Sequence, residues 1–140
     1  MNRQEFLSEP INMANERINY FDADAKVNRK LSELRKSLGQ DKKAERCLGI
    51  AEQQESLRDT LKTFQGALLK LTEDPKYSKQ DPMYSLNVLI RKVAFIELDN
   101  RVTGDYRKNW GQNLDAEYFF ARADEALAFL RFLKKVRSKA

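Results

Sequence analysis

The stretch that decides the fold is 47–71, CLGIAEQQESLRDTLKTFQGALLKL. Cys47, Ile50, Gln54, Leu57, Leu61, Phe64, Leu68 and Leu71 advance by threes and fours without a slip, the spacing that keeps side chains on one face of an α-helix. Asp41 stands ahead of them as an N-cap, its carboxylate available to the free amides of a first turn. The pattern predicts one helix over 41–73, roughly 45 Å long at about 1.5 Å per residue. Gly49 and Gly66 sit inside it at a cost of about 1 kcal/mol each; both suit close approach of a neighbouring helix.

Upstream, Ile11, Ala14, Ile18, Phe21 and Ala25 keep the same rhythm, and Val27, Leu31, Leu34 and Leu38 resume it one position early. A kink or break is expected at the slip, in FDADAK. Pro10 suits a first turn, where its missing N–H would be unpaired anyway. Gly39 suits the left-handed position just past a last turn. The first helix is therefore placed at 10–38. After the polar stretch TEDPKYSKQDP, Asp81 and Pro82 open a third helix over 82–99. Its segment MYSLNVLIRKVAFIEL is apolar on nearly every side, as in a helix buried on several faces. DNRVTGDYRKNWGQN reads as an irregular connection. A fourth helix spans 113–138, with Asp115 and Glu117 in its first turn and Lys134, Lys135 and Arg137 near its end, an order that complements the helix dipole. No internal repeat stands out.

The length of 140 residues suits a single helical domain over 1–140. Only 5 Gly and 3 Pro interrupt it, too few for an all-β chain full of turns. The fold expected is all-α: a four-helix bundle, up-and-down and antiparallel, with a long second helix. The alternative is a coiled hairpin of the first two helices that dimerises, with the other two packed beside it.

Composition removes much chemistry. The chain has no His and one Cys, so His-based triads, zincin sites and structural zinc sites cannot be built. No glycine loop that cradles phosphate occurs. Cys47 falls in the apolar row and reads as a core residue. Asp22 and Asp24 lie two apart, and on a continuous helix they point away from each other. Glu125, if buried, needs a partner, and Arg122 is the nearest in sequence. No catalytic residue, metal, cofactor or small-molecule substrate is expected. The longest apolar run, VAFI at 93–96, is far short of the ~18 residues a membrane helix needs, and a cytoplasmic protein with no membrane partner is expected.

Charge is segregated. Residues 26–46 hold eight basic groups against three acidic ones, and 131–139 hold five and no acid. In an up-and-down bundle the first and third connections share an end. That end would gather Arg35, Lys36, Lys42, Lys43 and Arg46 with Tyr106, Arg107, Lys108 and Trp110. Basic residues interleaved with aromatics suit single-stranded nucleic acid, charge for phosphates and flat faces for bases. Basic residues late in a helix also stabilise its dipole, which accounts for Arg35 and Lys36; Lys42 and Lys43 oppose the dipole of theirs. The second basic cluster, Arg131, Lys134, Lys135, Arg137 and Lys139, would lie at the opposite end. Trp110 reads more simply as a plug for the bundle end than as a stacking platform.

The segment AEYFFARADEALAFLRFLKK, 116–135, resembles the closing helix of the small all-helical subunits of type III CRISPR effector complexes, over about twenty residues of the chain; no residue role is carried over from it. The reading as a whole is a non-catalytic helical interaction module, a small subunit or adaptor that acts through helix–helix contacts with a protein partner or with itself. The alternative is a small basic subunit that binds RNA or DNA through the positive end.

Overall fold

The computed structural model describes residues 3–73 and 82–138. Four helices follow in order: α1 (Arg3–Ser37), α2 (Asp41–Glu73), α3 (Pro82–Asn109) and α4 (Asn113–Ser138). α1 packs along α2 and α3 along α4, so the all-α bundle is built of two antiparallel hairpins. The connection at 74–81, with its Asp81 cap, lies outside the described residues, as do the side chain of Leu71 and Lys139.

Both turns are made alike. Gly39 and Gly111 adopt positive φ, 75° and 74°, a conformation that costs glycine little. Gln40 N donates to Arg35 O and Gly39 N to Lys36 O; Gln112 N donates to Arg107 O and Gly111 N to Lys108 O. This is the paired-bond C-terminal cap that satisfies the last carbonyls of a helix.

Two expected boundaries are corrected. α1 begins at Arg3, and Pro10 lies within it. Leu7 and Pro10 are both fully buried, so core packing outweighs the one backbone hydrogen bond that Pro10 forfeits. α3 does not end at residue 99 but continues to Asn109. The polar residues that suggested a loop bond back onto their own helix instead: Asn100 Nδ2 donates to Ile96 O at 2.8 Å, and Thr103 Oγ1 to Asp99 O at 2.8 Å. Gly104 is there for space. A Cβ at that position would meet the Phe120 ring of α4 at 2.7 Å. Close approach was expected of Gly49 and Gly66; Gly49 meets only the Tyr118 hydroxyl at 3.9 Å, and Gly66 meets nothing within 4 Å.

The break expected as one possibility in α1 is absent: the helix runs continuously through Asp22–Asp24. Asp22 accepts from Arg58 at 2.7 Å and from Lys26 at 3.0 Å, and Asp24 accepts from Gln54. Ala25 is buried, with Asn28, Ser32 and Arg35 half-buried, continuing the line of Ala14, Ile18 and Phe21. Ser32 donates to Ala44 O on α2 at 2.8 Å. The stripe one position early is turned by about 100°, the angle of one residue, and Val27, Leu34 and Leu38 are exposed.

The core that all four helices share occupies the half away from the turns. Leu7, Ile18 and Phe21 meet Leu61, Phe64 and Leu68, Leu86, Leu89 and Val93, and Phe129, Leu133 and Val136. Phe64 and Phe129 stack with centroids 5.2 Å apart, worth about 0.5–1.5 kcal/mol beyond their burial. Arg17 crosses between hairpins and forms a two-armed pair with Glu125, Nε to Oε1 and Nη2 to Oε2, both at 3.1 Å. The partner expected for Glu125, Arg122, instead donates to Ser56 Oγ at 2.5 Å. The Arg17 guanidinium also lies 4.7 Å from the centre of the Phe21 ring.

The chain contains a repeat after all. Residues 10–66 align with 82–138 without a gap, and 14 of the 57 positions are identical. The turns read RKSLGQD at 35–41 and RKNWGQN at 107–113. Buried Ile18, Ala44, Ala51 and Leu61 match buried Ile90, Ala116, Ala123 and Leu133. Hydrogen bonds repeat as well. Asn15 accepts from Gln65 as Asn87 accepts from Arg137, and Asn28 Nδ2 donates to Asp24 O as Asn100 Nδ2 donates to Ile96 O. Each hairpin is thus one version of a common plan. Fixed positions at caps and seams are separated by freely varying surface, which hides the repeat from a reading of apolar periodicity.

Gly104→Ala should lower stability by about 1–3 kcal/mol, because the methyl group overpacks against Phe120. Gly66→Ala, in open space within a helix, should raise it by about 0.5–1 kcal/mol; urea denaturation of the two variants measures both. Acid should also destabilise the first hairpin. Hydrogen bonds from Lys26 and Arg58 hold the Asp22 carboxyl below its ordinary value of 3.8, and Arg29 holds Glu55 below 4.5. The unfolded chain takes up these protons at higher pH than the folded one, so the stabilisation is complete at neutral pH and is lost as pH falls through and below 4. Asp22→Asn should flatten that acid limb in thermal melts recorded across pH.

Candidate interaction surface at the turn end

The two turns lie side by side. Lys42, Arg46 and Ile50 of α2 line a cavity of about 400 Å³ with Leu114, Glu117 and Tyr118 of α4. Tyr118 spans it, donating to Gly49 O at 3.1 Å. Its phenol is held above the ordinary value, first by burial and then by the charges of Glu52, Asp115 and Glu117. Ile50 continues the apolar row of α2 but is exposed here, at the cavity rather than in the core. Cys47 is half-buried, with Ala44 and Ala51 taking the buried positions against α1.

The residues of the expected positive end fall into two groups. Arg35 and Arg107 are half-buried in the last turns of α1 and α3. Arg107 donates to Gln112 at 2.8 Å and lies 3.9 Å from Asp115. Arg35 Nε is buried without a hydrogen-bond partner among the described residues. Lys36, Lys42, Lys43, Arg46 and Lys108 are exposed and have no ion pair among the described residues. The arginines along the hairpin flanks differ: Arg29 pairs with Glu55, Arg58 with Asp22, and Arg101 with Glu97 and Asp124. Trp110 does not plug the bundle end. It is 70% exposed, tilted against exposed Tyr106 with centroids 6.1 Å apart. In the second basic cluster, Arg131, Lys134 and Lys135 are exposed near the far end of α4, while Arg137 donates to Asn87 at 3.1 Å.

Beyond these cations, the structure presents apolar surface. On α3 and the residue that follows it, Phe95, Leu98, Val102, Tyr106 and Trp110 are all exposed and step by threes and fours along one line. At about 100° per residue that line lies opposite the buried Leu86, Leu89, Val93 and Gly104. On α1 and the residue that follows it, Tyr20, Val27, Leu31, Leu34 and Leu38 form a second exposed line. The α1 line is visible in the sequence as the phase slip. The α3 line is hidden there, because ending the helix at residue 99 divides it between a helix and a loop.

For chemistry the surface offers little. Asp22 and Asp24 serve as ion-pair and hydrogen-bond acceptors between α1 and α2. Among the described residues no group of three or more Cys, Asp or Glu side chains is arranged to hold a metal ion, and no helix is long and apolar enough to cross a membrane. Two further hollows, of about 410 and 440 Å³, are open grooves that share Glu52, Ser56 and Arg122. No family model, no curated protein and no solved structure matches this chain.

Proposed function

We propose that this chain is a non-catalytic helical interaction module, a subunit or adaptor that joins a larger assembly through the outward face of α3. The exposed line from Phe95 to Trp110 carries the reading. It runs for about 22 Å and holds three aromatic side chains and two aliphatic ones. Aromatic residues concentrated in one exposed patch are what protein interfaces use as anchors. An amphipathic helix laid along such a line binds through side chains at the same three–four spacing.

A photo-crosslinking amino acid at position 95, introduced in cells that make this chain, tests the reading, with exposed Lys62 as the control position. Adducts should form from position 95, be absent from position 62, and disappear in the background of Leu98→Lys/Val102→Lys. Equal labelling at both positions, or none at 95, would rule the α3 face out as a contact surface.

A second reading has its own support: Lys36, Lys42, Lys43, Arg46 and Lys108 have no ion pair among the described residues, and Tyr106 and Trp110 near the same turns are exposed. Charge for phosphates and rings for bases would favour single-stranded nucleic acid. Anisotropy of labelled single-stranded RNA and DNA should then show binding that weakens roughly thousandfold between about 50 and 200 mM salt, and that is lost in Lys42→Glu/Lys43→Glu. No binding at the lower salt would discard this reading.

A further inference from the structure

Resting on the interaction-module reading, we infer that the occupant of the α3 face is a second copy of this chain, docked antiparallel with Leu98 near the two-fold axis.

The repeat provides an internal control. The first hairpin carries Ala23, Lys26 and Lys30 where the second carries Phe95, Leu98 and Val102. Both hairpins keep the same turn caps and share repeated hydrogen bonds. The fold is therefore satisfied by lysine at positions 98 and 102. Apolar side chains there gain nothing from the fold and need another surface to cover them.

Charge selects the occupant. The α3 line is bordered on one flank by Arg91 and Asp105, seven residues to either side of Leu98, and on the other by Lys92 and Asp99, all exposed. Antiparallel pairing about Leu98 sets Arg91 against Asp105 of the second copy, twice. It also sets Phe95 against Val102 and brings Val88 close to Trp110. Parallel pairing would place each charge against itself. The area is sufficient. The five side chains are 58–70% exposed; with aromatic residues offering about 150–250 Å² each, two facing lines cover on the order of 1,000 Å², the size at which specific interfaces begin.

Sedimentation velocity over the low to high micromolar range tests this, read alongside the emission of Trp110, the chain's single tryptophan. The expected result is a monomer–dimer equilibrium with a micromolar dissociation constant and a blue shift of emission as the dimer forms. Leu98→Lys/Val102→Lys should weaken association at least tenfold while keeping the helical circular dichroism, since lysine is what the first hairpin carries there. Arg91→Asp and Asp105→Arg should each weaken it, and mixing the two should restore it as a heterodimer. A wild type that stays monomeric throughout, or a dimer indifferent to Leu98→Lys/Val102→Lys, overturns the inference. Failure of the mixture to recover overturns the antiparallel register. A monomer whose position-95 crosslinks are all to other proteins overturns the second copy and leaves the docking reading standing; a monomer without such crosslinks removes both.

Discussion

The structure depends on the place where two hairpins meet, the stack of Phe64 on Phe129 with the leucines around it. A helical hairpin buries only one stripe of each helix and is marginal alone. Two of them closing over that stack give a core in which each helix has apolar neighbours on more than one side. Arg17 reaching across to Glu125 orients one hairpin on the other. Buried carboxylates are costly unless paired, so the pair specifies how the halves meet as much as it strengthens their union.

Because that core fills only one half of the bundle, the turn half obeys different rules. Towards the turns, α1 is held mainly by α2 through small and polar residues: Ala25, Asn28 and Ser32 against Ala44 and Ala51. α3 is held by α4 through Gly104 beneath Phe120. Seams this close bury little apolar area on their far sides. The outward faces of α1 and α3 are then free to carry residues that the fold does not use. On α1 these are mainly aliphatic, and on α3 they are aromatic and aliphatic with charges of both signs. The repeat sharpens the contrast, since one plan is carried out twice with different surfaces.

Much of this could be read from residues alone, and the limits have physical causes. The uninterrupted row from Leu57 to Leu68 identifies α2, because periodicity reports burial where several neighbours surround a helix. Gly39 marks its turn, because positive φ favours glycine. Gly104 resembles a breaker by the same logic, yet it is a packing residue: only the Phe120 ring across the seam explains it. Asn100 and Thr103 suggest a loop by composition and are helical because their side chains bond to carbonyls one turn back. The phase slip at Asp22–Asp24 shows that an apolar line changes direction. It cannot show whether the backbone bends or the line turns outward, and the bonds from Arg58, Lys26 and Gln54 decide for the unbroken helix.

For the candidate surface the division is similar. Net positive charge near the turns follows from the order of residues along the chain. Which cations are free and which are spent depends on acids that are distant in sequence and near in space, as with Arg29 and Glu55. By itself the sequence determined four helical segments, the glycine-closed turn at Gly39, segregated charge and the absence of histidine chemistry, because each depends on residue type and local spacing. Only the tertiary structure decided that Trp110 faces solvent, that α3 carries an uncovered apolar line and that Arg17 is the partner of Glu125. Exposure and pairing are properties of neighbours that a linear pattern does not contain.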